Sequence, residues 1–319
     1  MSTRLIPRSL APVLALGVML LGGCAAALAP KQPTATIETV EVTQDMRLRR
    51  MVVHNDHAKG TVLFLHGFPE TLYVWKSISL ELGKDYEVHA FDWPGYGLSS
   101  RPPATAFPYA PRDYARVLKA YIERAGIDKS RLTIYATDIG ALPALLLALD
   151  EPTIARNIIV GDFAPFDRPQ YMQPLLQSLK EKASSEQTRA ALNRNRDDVL
   201  DNAYRRGFSK DEQFDLAKEV KDDMRAGWSQ QDMTTADAFS HYYSHFTEDQ
   251  QFFESSLARL RTPVKVLWGE RDFYIKKEMG LEFAGKAGLN LVLLPGIGHY
   301  PHLQKPSQTV SDVRATFGM

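Results

Sequence analysis

Short apolar segments and amphipathic segments alternate along most of the chain. Residues Ile37–Val42 and Leu48–Val53 alternate apolar and polar side chains, which is typical of antiparallel strands. Buried-type strands are predicted at Thr61–Leu65, Glu87–Phe91, Leu132–Tyr135, Ile154–Val160, Val264–Trp268 and Leu291–Leu294. Helices are predicted at Arg112–Ala125, Ile139–Leu149, Leu281–Ala287 and Ser307–Phe317. Strands that alternate with helices in this way are typical of an α/β fold, with a mostly parallel sheet and helices on both faces.

This alternation is interrupted between residues 163 and 248. The segment has a helical pattern and many charges of both signs, as in KDEQFDLAKEVKDDMR at Lys210–Arg225, which are typical of a solvated helix face. Open α/β sheets bind ligands outside the carboxyl ends of their strands, so we expect the insertion to cover that edge as a cap. The sequence therefore predicts one domain in two segments, 37–162 and 249–319, with a helical cap at 163–248.

The N-terminal residues differ from the rest of the chain in their pattern of charged, apolar and small side chains. Two arginines in the first eight residues precede an apolar stretch, Leu10–Leu21, which is short for a bilayer-spanning helix. The only cysteine, Cys24, follows small residues in LGGCA, which resembles the lipobox of bacterial lipoproteins. A plain signal peptide with an incidental cysteine is the alternative. We expect a signal peptide at residues 1–23, a tether at 24–36, and export to the bacterial cell envelope with a lipid anchor, in the outer membrane or on the periplasmic face.

The charge and composition of the chain argue against some classes of binding partner. The chain has 38 lysines plus arginines and 38 aspartates plus glutamates, so its formal net charge is zero. Without a basic stripe, we expect no nucleic-acid partner. Among the histidines, His241 and His245 have helical metal-ligand spacing but lack the glutamate of an H-E-x-x-H motif. The sequence therefore predicts neither a metal nor a cofactor.

Four motifs follow predicted strands in a fixed order. They are HGFPE at His66–Glu70, DWPGYGLSS at Asp92–Ser100, ATDIG at Ala136–Gly140, and the pair WGERD at Trp268–Asp272 with GIGH at Gly296–His299. In order and spacing they resemble the motifs of the α/β-hydrolase superfamily, over nearly everything from Ile37 to the C-terminus. The resemblance implies the α/β-hydrolase fold, with nucleophile, acid and histidine in that chain order. One mild departure is Ala136, where the superfamily usually has glycine.

The third motif carries Asp138 where most members of the superfamily carry serine. A serine that attacked an alkyl carbon would form an ether, which water does not readily cleave. A carboxylate forms an ester instead, and water activated by His299 can cleave that ester and restore Asp138. Asp138 stands at the start of a predicted helix, where the dipole and free amides favour an anion. The backbone N–H groups of Phe68 and Ile139 are expected to form the oxyanion hole.

Two branches of the superfamily use an aspartate at this position, the epoxide hydrolases and the dehalogenases. Haloalkane dehalogenases commonly place a tryptophan directly after it, and fluoroacetate dehalogenases an arginine, whereas this chain has Ile139. The segments HGFPETLYVW and GERDFYI look like the epoxide-hydrolase forms. The resemblance therefore implies an epoxide hydrolase that acts on a small apolar electrophile. A haloalkane or haloacid dehalogenase is the alternative, and a lipid-anchored, non-catalytic binding protein is the second alternative.

The oxygen of an epoxide must be protonated as it leaves, which these epoxide hydrolases do with cap tyrosines or with a tyrosine and a histidine. HYYSH at His241–His245 lies where they carry a ring-opening tyrosine, which implies Tyr243, with Tyr242 as the alternate. The early cap offers Tyr171 and Tyr204 as a second donor, but neither stands in the expected aromatic setting.

Two carboxylates could serve as the acid that orients His299. Asp272 follows the strand predicted at Val264–Trp268, which is the superfamily's usual place. Asp162 follows the strand predicted at Ile154–Val160, where some dehalogenases and epoxide hydrolases keep their acid. Because the motif around Asp272 is intact, we predict Asp272 as the acid and Asp162 as the alternate or a supporting polar residue.

Replacement of Cys24 tests the lipid anchor. We expect Cys24→Ser to abolish lipidation in a bacterial host and to leave either a precursor or a soluble periplasmic form. Intact mass spectrometry and membrane fractionation of the wild type and the variant measure this. A wild-type protein with an unmodified N-terminus that starts elsewhere than residue 24 would exclude the lipoprotein interpretation.

Overall fold

The computed structural model describes residues 1–3, 32–230 and 232–318. One compact unit spans Pro33–Met319. Cys24 and residues 4–31 of the predicted signal peptide and tether lie outside the described residues. In the described part of the chain, no helix combines the length and the apolar character needed to cross a membrane.

The strands of the described residues form an eight-stranded sheet and a separate two-stranded hairpin. They are β1 Ala35–Thr43, β2 Met46–Val53, β3 Thr61–Leu65, β4 Glu87–Phe91, β5 Leu132–Thr137, β6 Asn157–Gly161, β7 Ser229–Gln230, β8 Met233–Thr234, β9 Val264–Gly269 and β10 Leu291–Leu294. The order in the large sheet is β1-β2-β4-β3-β5-β6-β9-β10, and β7 pairs with β8. Only β1 with β2 and β2 with β4 pair antiparallel within the large sheet. The predicted mostly parallel sheet is confirmed.

Helices connect the strands and cover the sheet. Before and after the cap segment they are α1 Lys76–Leu82, α2 Pro111–Arg124, α3 Ala141–Asp150, α10 Lys277–Ala287, α11 Pro301–Gln304 and α12 Pro306–Thr316. In the segment between β6 and β9 they are α4 Pro174–Lys180, α5 Lys182–Arg194, α6 Arg196–Asn202, α7 Lys218–Ala226, α8 Thr235–Ser244 and α9 Phe246–Ser256. Every residue of β5 is buried, as expected for a central strand covered on both faces.

Two predicted boundaries differ from the structure. The strand predicted from Ile154 begins at Asn157, because Ile154 belongs to the turn after α3, where its N–H donates to the carbonyl of Glu151. The predicted end of the cap at residue 248 lies inside α9, which packs against α2 and α3 of the sheet domain.

A buried group of charges fastens the cap to the sheet. Arg49 on β2 donates two hydrogen bonds of 2.7 Å to Asp223 on α7, and one of 2.5 Å to Asp92, which follows β4. Thr71 also donates to Asp223, at 2.6 Å. Removal of one partner of a buried guanidinium strongly destabilises a protein, because it leaves a charge without compensation. These bonds therefore hold α7 against the sheet.

A second buried pair supports the loop that follows β3. Glu70 lies 2.6 Å from the Nε2 of His302, and its other oxygen accepts the N–H of Gly67 at 2.9 Å. The His302 ring stacks on Trp75, with 4.3 Å between the ring centroids. Burial alone would raise the pKa of the Glu70 carboxyl, but His302 and the N–H of Gly67 lower it below its usual value. The pair therefore holds the backbone of Gly67 and of the next residues in one position.

Replacement of Glu70 by glutamine tests this support. A carboxyl whose pKa is lower in the folded than in the unfolded protein stabilises the fold at pH values above its unfolded pKa. This stability is lost as the pH falls through the lower, folded pKa. We expect Glu70→Gln to lower the free energy of unfolding at neutral pH by about 3–5 kcal/mol, the cost of breaking a buried ion pair. The difference in the free energy of unfolding between the variant and the wild type should shrink as the pH falls below 4.5, the usual carboxyl pKa.

Urea unfolding at a series of pH values measures both effects. Glu123→Gln, an exposed change at the end of α2, is the control and should match the wild type throughout. A difference between Glu70→Gln and the wild type that stays constant through the acid range would contradict the ion pair.

Candidate active site

The turn that follows β5 presents Asp138 at the carboxyl edge of the sheet. Asp138 has a φ of +48°, in the left-handed region that few residues other than glycine adopt. Aspartate tolerates this region better than most side chains. A short 3-10 helix, Asp138–Gly140, continues directly into α3, so the helix predicted from Ile139 begins with a tighter turn. The sharp turn exposes the Asp138 side chain beyond the strand.

The loop after β3 lies directly against Asp138. The backbone N–H of Phe68 donates to Asp138 Oδ2 at 2.8 Å. A Cβ atom on Gly67 would lie 2.7 Å from the Cβ and the Oδ2 of Asp138, so this position requires glycine. Phe68 therefore lies where the sequence predicted an oxyanion-hole donor, and Ile139 follows Asp138 in the same turn.

His299 lies between two carboxylates. Its Nδ1 is 2.8 Å from Asp272 Oδ2, and its Nε2 is 3.9 Å from Asp138 Oδ2. The other oxygen of Asp272 accepts the N–H groups of Tyr274 and Ile275, at 2.7 Å and 3.0 Å. Burial would lower the pKa of His299, but the negative charges of Asp272 and Asp138 raise it well above its usual value. The two neighbouring carboxylates therefore favour the protonated form of the imidazole.

Asp162 belongs to the same buried group. One oxygen of Asp162, one of Asp272 and a ring nitrogen of His299 all lie within 4.8 Å of one another. Asp272 nevertheless makes the direct hydrogen bond to the imidazole, and its role as the acid stays a prediction. A trio of such side chains could also ligate a metal ion, and the absence of a metal stays a prediction.

A cavity of about 270 Å³ opens at Asp138 and His299. Its lining comes from both the sheet domain and the cap and is mostly apolar, with Phe68, Leu176, Leu192, Val199, Phe239 and Ile275. Polar side chains line it at Asn195, Asp198 and Arg206, and Arg206 donates to Asp198 at 2.6 Å. The cavity therefore suits a small, largely apolar molecule.

The structure does not place the predicted cap tyrosines on the wall of this cavity. Tyr243 is buried and contacts Phe239, which does line the cavity, with 4.8 Å between the ring centroids. Tyr242 donates its hydroxyl to the carbonyl of Ile139 at 3.1 Å. Burial, followed by the negative charge of Asp138, raises the pKa of Tyr243 well above its usual value.

The two candidates for a second donor lie elsewhere. Tyr171 is half-buried at the end of a 3-10 helix, and its carbonyl accepts the N–H of Lys276. Tyr204 donates its hydroxyl to Asp215 at 2.9 Å. Neither is among the residues that line the cavity.

Two tyrosines that the sequence reasoning missed do line the cavity. Tyr274 and Tyr300 flank the imidazole of His299, at 5.0 Å and 4.8 Å between ring centroids. The hydroxyl of Tyr274 donates to the carbonyl of Ala203 in the cap, and that of Tyr300 donates to the carbonyl of Phe68. In the sequence, Tyr274 lies two residues after the predicted acid and Tyr300 directly after the predicted histidine, and this proximity could have identified them.

Proteins similar to this chain include an epoxide hydrolase and haloalkane dehalogenases. Epoxide hydrolase 4 from Mus musculus is 31% identical over 112 residues, 35% of this chain and 30% of that protein. Haloalkane dehalogenase 2 from Mycobacterium bovis is 28% identical over 108 residues, 33% of this chain and 36% of that protein. The chain thus aligns with about a third of the length of these curated relatives.

Two further comparisons concern the fold. The crystal structure of Cfl2 from Burkholderia cenocepacia matches with a TM-score of 0.73 at 18% identity, over 91% of this chain and 98% of that one. At that identity the match shows the fold alone. The family of proteins with the alpha/beta hydrolase fold matches residues 60–306. Because that match covers well over half of the chain, this protein belongs to the α/β hydrolase fold family.

Proposed function

We propose that the protein is an epoxide hydrolase, which converts an epoxide to a vicinal diol through a covalent ester on Asp138. The observation that carries the proposal is the Asp138 carboxylate, which reaches a mostly apolar cavity with the N–H of Phe68 at 2.8 Å and the ring of His299 beside it. A carboxylate held in this way can displace a leaving group at an alkyl carbon.

In the first step, an oxygen of Asp138 attacks one carbon of the epoxide, and the ring bond from that carbon to oxygen breaks. The electron pair of that bond remains on the leaving oxygen, which takes a proton from Tyr243. The hydroxyls of Tyr242, Tyr274 and Tyr300 each donate to a backbone carbonyl. The hydroxyl of Tyr243 has no hydrogen bond to any residue that the structure describes, so it is available to the substrate.

The substrate must pass Phe239 to reach this hydroxyl. Tyr243 contacts the cavity wall through the ring of Phe239, and both residues lie on α8. Phe239 also stacks on Phe68, with 4.0 Å between the ring centroids, so the proposal requires this contact to open when the substrate binds. The raised pKa of Tyr243 keeps its proton in place until an alkoxide, a much stronger base than a carboxylate, forms beside it.

In the second step, water hydrolyses the ester. Formation of the ester removes the negative charge of Asp138, which lowers the pKa of His299, so the imidazole can release its proton to solvent and act as a base. Water then attacks the ester carbon and gives a proton to His299, while the N–H groups of Phe68 and Ile139 stabilise the oxyanion. The diol oxygen leaves with the proton from His299. The remaining proton, on the carboxyl of Asp138, returns through solvent to Tyr243, and His299 regains from solvent the proton that it released once Asp138 is charged again.

Epoxide chemistry is favoured over halide chemistry by the groups around the cavity. A leaving halide needs N–H donors. Asn195 and Arg206 carry such groups at the cavity, but Arg206 donates to Asp198, and none of the four tryptophans is among the residues that line the cavity. The residue after Asp138 is Ile139, which offers no side-chain donor. A dehalogenase remains the second candidate, because one of the similar proteins is a haloalkane dehalogenase.

Trapping the ester tests the covalent route. In His299→Gln, hydrolysis should stall because no base activates water, so the alkylated enzyme should accumulate. Intact mass spectrometry after addition of an epoxide should show the added mass, and digestion should place it on the peptide that contains Asp138. The double variant Asp138→Ala/His299→Gln is the control and should take up no mass. Absence of an adduct with a substrate that the wild type turns over would refute the covalent scheme.

Removal of one hydroxyl tests the proton donor. We expect Tyr243→Phe to slow alkylation by an epoxide about 10²–10⁴-fold, the usual contribution of general acid catalysis. Single-turnover formation of the ester in the His299→Gln background measures this rate. Tyr242→Phe is the matched control on the same helix and should have a much smaller effect, because its hydroxyl serves the carbonyl of Ile139.

The other outcomes separate the alternatives. A larger effect of Tyr242→Phe would make Tyr242 the donor. If neither change slows epoxide opening and alkyl halides release halide rapidly, the protein is a dehalogenase. If neither class of substrate is turned over by the wild type, the protein is a non-catalytic binding protein.

A further inference from the structure

Asp162 is fully buried at the end of β6, beside the catalytic group. Its φ of +51° lies in the left-handed region, so the chain adopts an unfavourable backbone conformation to aim this side chain inward. Asp162 Oδ1 accepts the backbone N–H of Gly269 at 2.8 Å. Gly269 ends β9, and its carbonyl accepts the N–H of Asp272. Asp162 therefore connects the end of β6 to the loop that carries the acid.

The second oxygen of Asp162 has no hydrogen-bond donor. Oδ2 is buried and has no partner among the residues that the structure describes. An ionised carboxylate oxygen in such a place would lose its hydration without compensation, which is costly. A protonated carboxyl avoids this cost and gains an O–H donor.

The neighbours of Asp162 decide which carboxyl holds a proton. Titratable side chains face it from three elements: Tyr135 on β5, Asp272 after β9 and His299 after β10. Two carboxylates this close in a buried site cannot both ionise without a large cost. Asp272 accepts three hydrogen bonds, from two backbone N–H groups and His299, whereas Asp162 accepts one. The negative charge is therefore better stabilised on Asp272. In agreement, burial and then the charge of Asp272 raise the pKa of Asp162 well above its usual value.

We propose that Asp162 is a positioning residue that stays protonated on Oδ2 and donates this hydrogen to Asp272. With Asp162 neutral, His299 faces one negative charge on the side of the acid instead of two. A second charge would raise the pKa of His299 further and keep the imidazole protonated after Asp138 is esterified. The neutral carboxyl thus lets His299 become a base in the second step. The protonation state can be tested by itself, whereas this catalytic consequence rests on the proposed function.

Infrared spectroscopy tests the proton on Asp162 directly. Wild-type protein at neutral pH should show the carbonyl stretch of a protonated carboxylic acid, and Asp162→Asn should lose it. Asp249→Asn is the matched control, because burial also raises the pKa of Asp249; this variant should keep the band. Absence of the band in the wild type, or its survival in Asp162→Asn, would overturn the proposal. Absence of the band in the wild type decides against the proposal even if a variant does not fold, and its assignment to Asp162 comes from the two variants.

Kinetics test the effect on His299. Asparagine is neutral and has nearly the shape of protonated aspartate, so Asp162→Asn should slow ester hydrolysis about tenfold or less, the worth of one hydrogen bond. Loss of the orienting acid in Asp272→Asn should cost on the order of 10⁴. The pH profile of the hydrolysis step should not shift in Asp162→Asn, because no charge is removed.

The outcomes separate this proposal from the proposed function. A shift of the Asp162→Asn profile to lower pH would mean that Asp162 is ionised in the wild type, and a larger loss in Asp162→Asn than in Asp272→Asn would make Asp162 the acid. Either result overturns the proposal while leaving the hydrolase intact. If the wild type turns over neither epoxides nor alkyl halides, the proposed function fails, and the infrared result still decides the protonation of Asp162.

Discussion

The left-handed backbone at Asp138 is the constraint on which the rest of the site depends. It turns the chain from β5 into α3 and leaves the carboxylate beyond the edge of the sheet, against the loop after β3. That loop can approach only because Gly67 has no side chain, and its N–H at Phe68 reaches the carboxylate at 2.8 Å. The buried pair of Glu70 and His302 then holds the loop in this position. A strained turn, a glycine and an ion pair therefore act together to fix one hydrogen bond.

In the proposed mechanism, the charges around His299 allow one imidazole to serve both steps of the reaction. Two carboxylates, Asp272 and Asp138, keep its pKa high. Of these, only Asp138 loses its charge when it forms an ester, so the chemistry itself changes the protonation of His299. A third ionised carboxyl at Asp162 would weaken this response, and the absence of a hydrogen-bond donor to its Oδ2 among the described residues argues that it is neutral. In this mechanism Asp272 keeps its charge throughout, whereas Asp138 loses its charge while the ester exists.

The cap determines what reaches these groups. Its helices supply much of the apolar lining of the cavity, and the bonds of Asp223 to Arg49 and Thr71 hold it against the sheet. On α8, two neighbouring tyrosines have different roles: Tyr242 is bound to the turn at Ile139, while the hydroxyl of Tyr243 has no bond to any described residue. In the proposed mechanism, the proton donor to the leaving group therefore lies on a helix that belongs to the insertion.

The sequence by itself determined the elements and the order of the motifs. The strands Thr61–Leu65, Glu87–Phe91 and Leu291–Leu294 have the predicted bounds, because apolar periodicity and strand-ending turns are local properties. The same local spacing located Asp138 at the turn. Only the tertiary structure decided which side chains meet. The pairing of Glu70 with His302, 232 positions apart, has no local pattern. The placement of Tyr274 and Tyr300 on the cavity wall, and of Tyr243 against Phe239, likewise depends on how distant elements pack. The protonation of a buried carboxyl such as Asp162 follows from the same long-range packing, since burial and neighbouring charge set its pKa.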